Sequence, residues 1–218
     1  NTVTQEAADL ARTNLLKAAN ALVKKGEKPE YDNIAPEAKA DGICDYTNDL
    51  GGLATLNDGY EPTESHDTSH GAWHNWNNRY ENGVAKNAWV SYTWDKPVEI
   101  NSMDIYYFSD HGGIVAPKSA SFKYLNDAGE WVVADEAQGL ACVEDEYNTV
   151  KLANIKTKAI RMTMEPEFMN DGDPAHGVGV IEWKVYGKYA EDKPETVDKT
   201  ALDAVIREAE SRAEKDYT

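Results

Sequence analysis

The sequence predicts a mainly β protein: an antiparallel β-sandwich carrying an N-terminal and a C-terminal helix. Three observations predict it. From Asn33 to Gly187 the apolar residues alternate or come in short runs, the signature of half-buried strands. Turn residues divide these runs at Asp95-Lys-Pro97, Asn126-Asp-Ala-Gly129 and Asn170-Asp-Gly-Asp-Pro174. The middle of the chain also lacks the long helical periodicity that a parallel α/β sheet needs.

Residues 1–28 read as a helical spacer. Thr2 and Gln5 stand at capping-box spacing. Val3, Ala7, Leu10, Leu15, Ala19 and Leu22 then recur near the helical period, and Lys24, Lys25 and Gly26 supply cations and a stop. The sandwich occupies 31–189, with strands expected at Trp89–Trp94, Asn101–Phe108, Ser119–Leu125, Trp131–Ala134, Thr149–Leu152, Ala159–Met164 and Val178–Tyr186. Residues 190–218 hold a polar linker, Glu191–Asp198, and a second helix with Leu202, Val205, Ile206, Ala209 and Ala213 on one face. A chain that opens and stops inside helical patterns reads as a monomeric fragment of a longer protein.

Composition excludes several partner classes. The chain has 218 residues, 41 % of them hydrophobic, and a net charge of −17. A polyanionic surface repels phosphate backbones, so no nucleic-acid partner is expected. No apolar run approaches the roughly 20 residues that a membrane-spanning helix needs, so no membrane insertion is expected. Cys44 and Cys142 fit neither a zinc spacing nor a C-x-x-C redox motif. One disulfide and two small buried hydrophobes both remain open for them.

The most informative stretch is Leu56–Trp76. Asn57-Asp58-Gly59 is turn chemistry, because Gly tolerates positive φ and Asp bonds its own backbone. The loop beyond carries His66, His70 and His74 and closes on Trp73 and Trp76. Carboxylates can hold a hard cation, and indoles can stack on a flat apolar face. The stretch therefore reads as a binding surface. Zinc is not expected, because the four-residue histidine spacings need a helix and Gly71 opposes one.

Catalysis is the rival class. A glycosidase needs two carboxylates across a cleft, and Asp110, Asp171, Asp173 and Glu182 could be recruited on paper. With 39 acidic residues, such pairs arise by chance. No G-x-S-x-G, H-E-x-x-H, P-loop or dinucleotide fingerprint is present, so the chain reads as noncatalytic.

Several motifs in order resemble the discoidin-type, or coagulation-factor-5/8 C-type, galactose-binding-like domain, which includes many bacterial carbohydrate-binding modules. Asn33-Ile-Ala-Pro-Glu-Ala38 resembles its opening strand, and Leu56-Asn-Asp-Gly59 its early turn. Ile105-Tyr-Tyr-Phe108, a Gly-containing loop and Pro117 resemble the mid-domain strand and crossover. Gly177-Val-Gly-Val-Ile-Glu-Trp-Lys-Val-Tyr-Gly187 resembles the closing strand. The flanks resemble halves of FIVAR modules: residues 5–25 look like a last helix, and Ala201-Leu-Asp-Ala-Val-Ile206 with Asp216-Tyr217-Thr218 like the start of another.

The resemblance implies a galactose-binding-like jelly roll acting as a noncatalytic carbohydrate-binding module. Its parent would be a multimodular extracellular or cell-surface bacterial glycoside hydrolase. It also implies a structural Ca²⁺, with Asp58 and Glu182 as carboxylate ligands and Asn57 and Thr63 as additions. The family's turn is often followed quickly by Thr and Trp, whereas here a long insertion separates Thr63 from Trp73. For the glycan, the loops His66–Tyr80, Asp110–Pro117 and Glu167–His176 are expected to converge. Trp73, His74, Trp76, Asp110, His111 and His176 are the contact candidates. Trp89, Trp94, Trp131 and Trp183 are expected in the core, and His66 and His70 in solvated loop positions. The alternative is a protein- or host-surface-binding adhesive module, since discoidin-type domains also use these loops for proteins and lipid head groups. Acidic, His-rich loops weigh against membranes.

Overall fold

The computed structural model describes residues 30–43, 52–168 and 175–190. The two expected helices, the linker, Cys44, Asp171 and Asp173 lie outside these residues.

Eleven strands run through the described residues. In chain order they are β1 (Asp32–Asn33), β2 (Lys39–Gly42), β3 (Trp73–His74), β4 (Tyr80–Glu81), β5 (Val84–Ala85) and β6 (Ala88–Phe108). They continue as β7 (Ile114–Val115), β8 (Ser119–Leu125), β9 (Trp131–Val133), β10 (Asn148–Glu165) and β11 (Gly177–Tyr189). Short 3-10 turns sit at Ala35–Glu37, Gly52–Thr55 and Trp76–Asn78. No helix among the described residues is long and apolar enough to cross a membrane.

The architecture is an antiparallel sandwich, and two long strands serve both layers. The first half of β6 pairs with β2 and with the end of β10, from Ala159 to Met164. Its second half pairs with β11 and with the start of β10. Separate strands were expected on either side of Asp95-Lys-Pro97 and on either side of Ile155. Instead each pair runs as one bent strand, and register shifts between Lys151 and Ile155 and between Thr157 and Ala159 absorb the bend. The expected opening strand is also shorter. Asn33 ends β1, and Pro36 sits in a 3-10 turn, where its missing N–H costs nothing.

Aromatic residues fill the core. Tyr92 stacks on Trp183 at 4.3 Å, and Trp94 meets Tyr92 edge-on at 6.1 Å. Trp94 donates its indole N–H to Ile34 O, and Tyr92 donates to Leu56 O. Trp89 and Trp131 depart from expectation: both are half-buried on a sheet face, with the Arg161 guanidinium 4.2 and 4.3 Å from their rings. Cys142 is a free, half-buried thiol. Burial pushes it up to about 11, so it stays protonated and unreactive.

Candidate functional site

One end of the sandwich gathers three loops, and backbone pairing explains why. β7 pairs in parallel with β11 through Ile114–Val115 and Gly177–Val178, and Gly177 donates its N–H to Gly113 O at 2.8 Å. β3 pairs antiparallel with β11. Asn75 prolongs that ladder: its N–H donates to Val178 O, and its Oδ1 accepts the Val178 N–H at 2.8 Å. The segments beginning at His74, Asp110 and Ala175 are thereby held side by side.

Trp76 cements the junction. A Cβ on Gly113 would overlap its Cη2 and Cζ3, and one on Gly177 would lie 3.3 Å from its Cα and Cε3. The Arg79 guanidinium lies 3.6 Å from the Trp76 ring and 4.6 Å from that of Tyr80, and Nη1 donates to Trp76 O. Tyr80 Oη donates to Ala175 O at 2.8 Å and accepts the Ala175 N–H at 2.9 Å. Trp76, Arg79 and Tyr80 thus form a column from the Asp110–Gly113 loop to the segment entering β11.

The Asp110 loop is shaped by its own side chain. Asp110 Oδ1 accepts N–H groups from Gly112 and Ile114, both at 2.8 Å. This Asx turn places His111 at φ 56°, a left-handed conformation that an L-residue adopts at a cost. The exposed His111 ring stacks on His66 at 4.5 Å with planes 12° apart. Ser109 O lies 3.1 Å from His66 Nδ1, so the carbonyl fixes that nitrogen as the donor.

The structure separates the expected contact residues into two groups. Trp73 is fully buried in β3 and donates its indole N–H to Ile43 O at 2.8 Å, so it is a core residue and not a platform. His74 is also buried, with Nδ1 accepting the Trp76 N–H. These two expectations are corrected, because β3 belongs to the sheet and its side chains are enclosed. Trp76, Asp110, His111 and His176 do lie on the converging segments. His176 is half-buried and donates its N–H to Glu167 O at 2.9 Å. Sequence reasoning passed over Arg79 and Phe168 and gave His66 only a solvated loop position. Arg79 fills a face of Trp76, His66 supports His111, and Phe168 is 60 % exposed beside the Glu167–His176 link.

A second site lies at the early turn. One extra residue in β11, between Val180 and Glu182, resets the alternation. Trp183 and Val185 meet the core, and Glu182 turns toward Asn57–Gly59. Glu182 is fully buried; Oε2 accepts the Gly59 N–H at 3.3 Å, while Oε1 has no partner among the described residues. Burial first, and the Asp58 charge second, push its carboxyl up to about 8. Asp58 Oδ1 accepts the Tyr60 N–H, and its Oδ2 lies 3.3 Å from His70 Nε2. His70 stacks on Tyr60 at 4.0 Å, so it is engaged rather than merely solvated. Asn57 donates through Nδ2 to Ala35 O and Ala38 O, and Thr63 is exposed. A buried carboxyl oxygen without a donor, close to the charge of a second carboxylate, is a donor pair suited to a hard cation.

No family model matches the chain. Among solved structures, it is similar to a CBM32 module from Clostridium perfringens in complex with GalNAc-β-1,3-galactose, with a TM-score of 0.51 and 14 % identity over 71 % of this chain and 99 % of that one. It is similar to the fucose binding module SpX-3 of Streptococcus pneumoniae, with a TM-score of 0.50 and 17 % identity over 71 % and 97 %. A chain of the Streptococcus pneumoniae β-galactosidase BgaA matches with a TM-score of 0.51 and 17 % identity over 71 % and 92 %. This protein has the galactose-binding-like fold. In this galactose-binding-like sandwich, the loops flanking Trp76 and the Asp58–Glu182 pair are distinct candidate sites.

Proposed function

We propose that the chain is a noncatalytic carbohydrate-binding module of a multimodular extracellular bacterial glycan-degrading enzyme, stabilised by a structural calcium ion. One observation carries the reading: Gly177 bonds Gly113 while Trp76 packs on both, which gathers aromatic and polar groups at one open end of the sandwich. Sugars offer apolar C–H faces and hydroxyl edges, and such an end answers both. Phe168 supplies the exposed aromatic face, and His111, His176 and Asp110 supply polar atoms. Solved neighbours that are carbohydrate-binding modules support the reading. Weak glycan binding would raise the local substrate concentration for a linked catalytic domain.

The carboxylate geometry does not favour hydrolysis by this chain. Asp110 Oδ1 already accepts two backbone N–H groups, and Glu182 lies under the early turn instead of across from Asp110. Calcium would be held by the Asp58 and Glu182 carboxylates, with Asn57 and Thr63 as further oxygen donors. Its part is to neutralise the buried Glu182 carboxyl beside the exposed Asp58 carboxylate and so fix the turn to the last strand.

A glycan array probed with the chain, followed by incubation of each retained glycan, tests the reading. Retention without release of sugar is expected. Release of sugar by the chain would favour a hydrolase, and capture of a protein with no glycan retained would favour an adhesive module.

A further inference from the structure

One solvent-facing side of the sandwich carries a side-chain cluster that neither candidate site uses. β10 runs between β6 and β8, and β9 borders β8. Arg161 lies opposite Ser91 on β6 and Lys123 on β8, Thr163 lies opposite Trp89, and Leu125 opposite Trp131. Ile160, Met162 and Phe122 point into the core, so strand alternation puts Trp89, Arg161, Thr163, Lys123 and Trp131 together on the outer face. The row crosses four adjacent strands, about 14 Å.

Arg161 is the centre of this row. Its guanidinium lies 4.2 Å from the Trp89 ring and 4.3 Å from the Trp131 ring, so two indoles hold it in place. Its Nε is enclosed and has no hydrogen-bond partner among the described residues. The ion pairs among those residues leave Arg161 out as well. In a chain with 39 acidic residues against 22 basic ones, a guanidinium without a carboxylate is unexpected. Carboxylates on the same face are engaged elsewhere: Glu165 takes Lys118 and Ser119, and Asp41 accepts the Gly42 N–H. A half-desolvated guanidinium with a fixed orientation and no anion is a ready partner for a carboxylate.

We infer that the Trp89–Arg161–Trp131 row is a second binding site, for a sugar that carries a carboxylate, as in a uronic-acid glycan. The carboxylate pairs with the Nη end of Arg161, with Lys123 as the neighbouring cation, and the partly exposed indoles pack against the sugar's C–H faces. Thr163, partly exposed between Trp89 and Ser121, adds a hydroxyl. An acidic peptide is the poorer fit, because a peptide strand docks on a free sheet edge and β10 is paired on both sides. The ligand class rests on the carbohydrate-binding reading, but the site uses none of the loop residues around Trp76. Because the surface as a whole repels anions, retention of an acidic glycan reports a local site rather than bulk charge.

The test titrates trigalacturonate and a hyaluronan tetrasaccharide, each as free acid and as methyl ester, and polyglutamate into wild-type chain, R161Q and R161K at physiological ionic strength. Wild-type chain should bind at least one acidic glycan, and its ester at least about tenfold more weakly, the worth of one charge-assisted hydrogen bond. R161Q should lose the acidic glycan by a similar factor and keep wild-type affinity for the neutral glycan held at the loop end. R161K keeps the charge but not the planar fork, so its affinity should fall between the two. If R161Q lowers the melting temperature, the wild-type comparison of acid with ester still decides, because it alters no residue. Equal affinity for acid and ester, R161Q binding the acid as the wild type does, or polyglutamate bound as tightly as the acidic glycans overturns the site. Wild-type chain that binds neutral glycan and neither acid also overturns it and leaves the carbohydrate-binding reading standing. Wild-type chain that binds no glycan overturns both.

Discussion

Trp76 occupies the space that a side chain on Gly113 would need, so the two residues fix the distance between the end of β3 and the Asp110 loop. Glycine is required here by close approach, not by backbone conformation. G113A should push the loop off Trp76, cost about 1–3 kcal/mol as overpacking does, and abolish glycan retention. A thermal melt and an array binding run on the same sample check both. Wild-type melting and retention would show that the junction is loose.

Trp73 gives the contrasting case. W73F removes the indole N–H and leaves Ile43 O without its donor. The expected loss is about 1–3 kcal/mol of stability, with glycan affinity at the wild-type level. Denaturant melts and titration on one preparation separate the two quantities. Selective loss of affinity at full stability would restore Trp73 to the binding surface.

His111 sits in the left-handed region at φ 56°. Replacement by glycine relieves that conformation, so H111G should gain up to about 1 kcal/mol in stability. If the imidazole contacts ligand, affinity falls as stability rises. The gain is read from the shift in the melting midpoint, and a loss of stability would mean that the His66 stack outweighs the backbone cost.

Glu182 sets a pH dependence with a definite sign. Its folded carboxyl keeps a proton up to about 8, whereas the ordinary value is 4.5. Between those values the folded state holds more protons than the unfolded one, so stability without metal falls as pH rises. In EDTA the melting temperature should drop from pH 5 to pH 8, by about 2–4 °C for each kcal/mol lost. Calcium bound as proposed would replace the proton, so its stabilising effect should grow across the same window. E182Q should flatten both trends. Melting curves unaffected by calcium at pH 8 would remove the calcium site.

The sequence disclosed the sandwich because β strands bury alternate residues, and that period survives in Ser119–Leu125 as an intact β8. It concealed that β6 continues past Pro97, since a proline reads as a break while a bend between layers tolerates one. At the site, Asp110, His111 and His176 were legible as polar loop residues. Trp73 and Trp76 were not distinguishable, because only the pairing of β3 with β11 decides which indole faces inward. The Asp58–Glu182 approach was legible only through the family resemblance, because it spans most of the domain and depends on one inserted residue in β11. Phe168 was overlooked because its value lies in being exposed, and exposure is a property of the folded surface.

The central claim is that the end bearing Trp76, Asp110 and Phe168 binds glycan. Its most direct test is titration of the array's strongest glycan into wild-type chain and F168A, with melting curves for both. Loss of at least about tenfold in affinity at an unchanged melting temperature is the predicted result. Wild-type affinity in F168A, or no glycan bound by the wild-type chain, contradicts it.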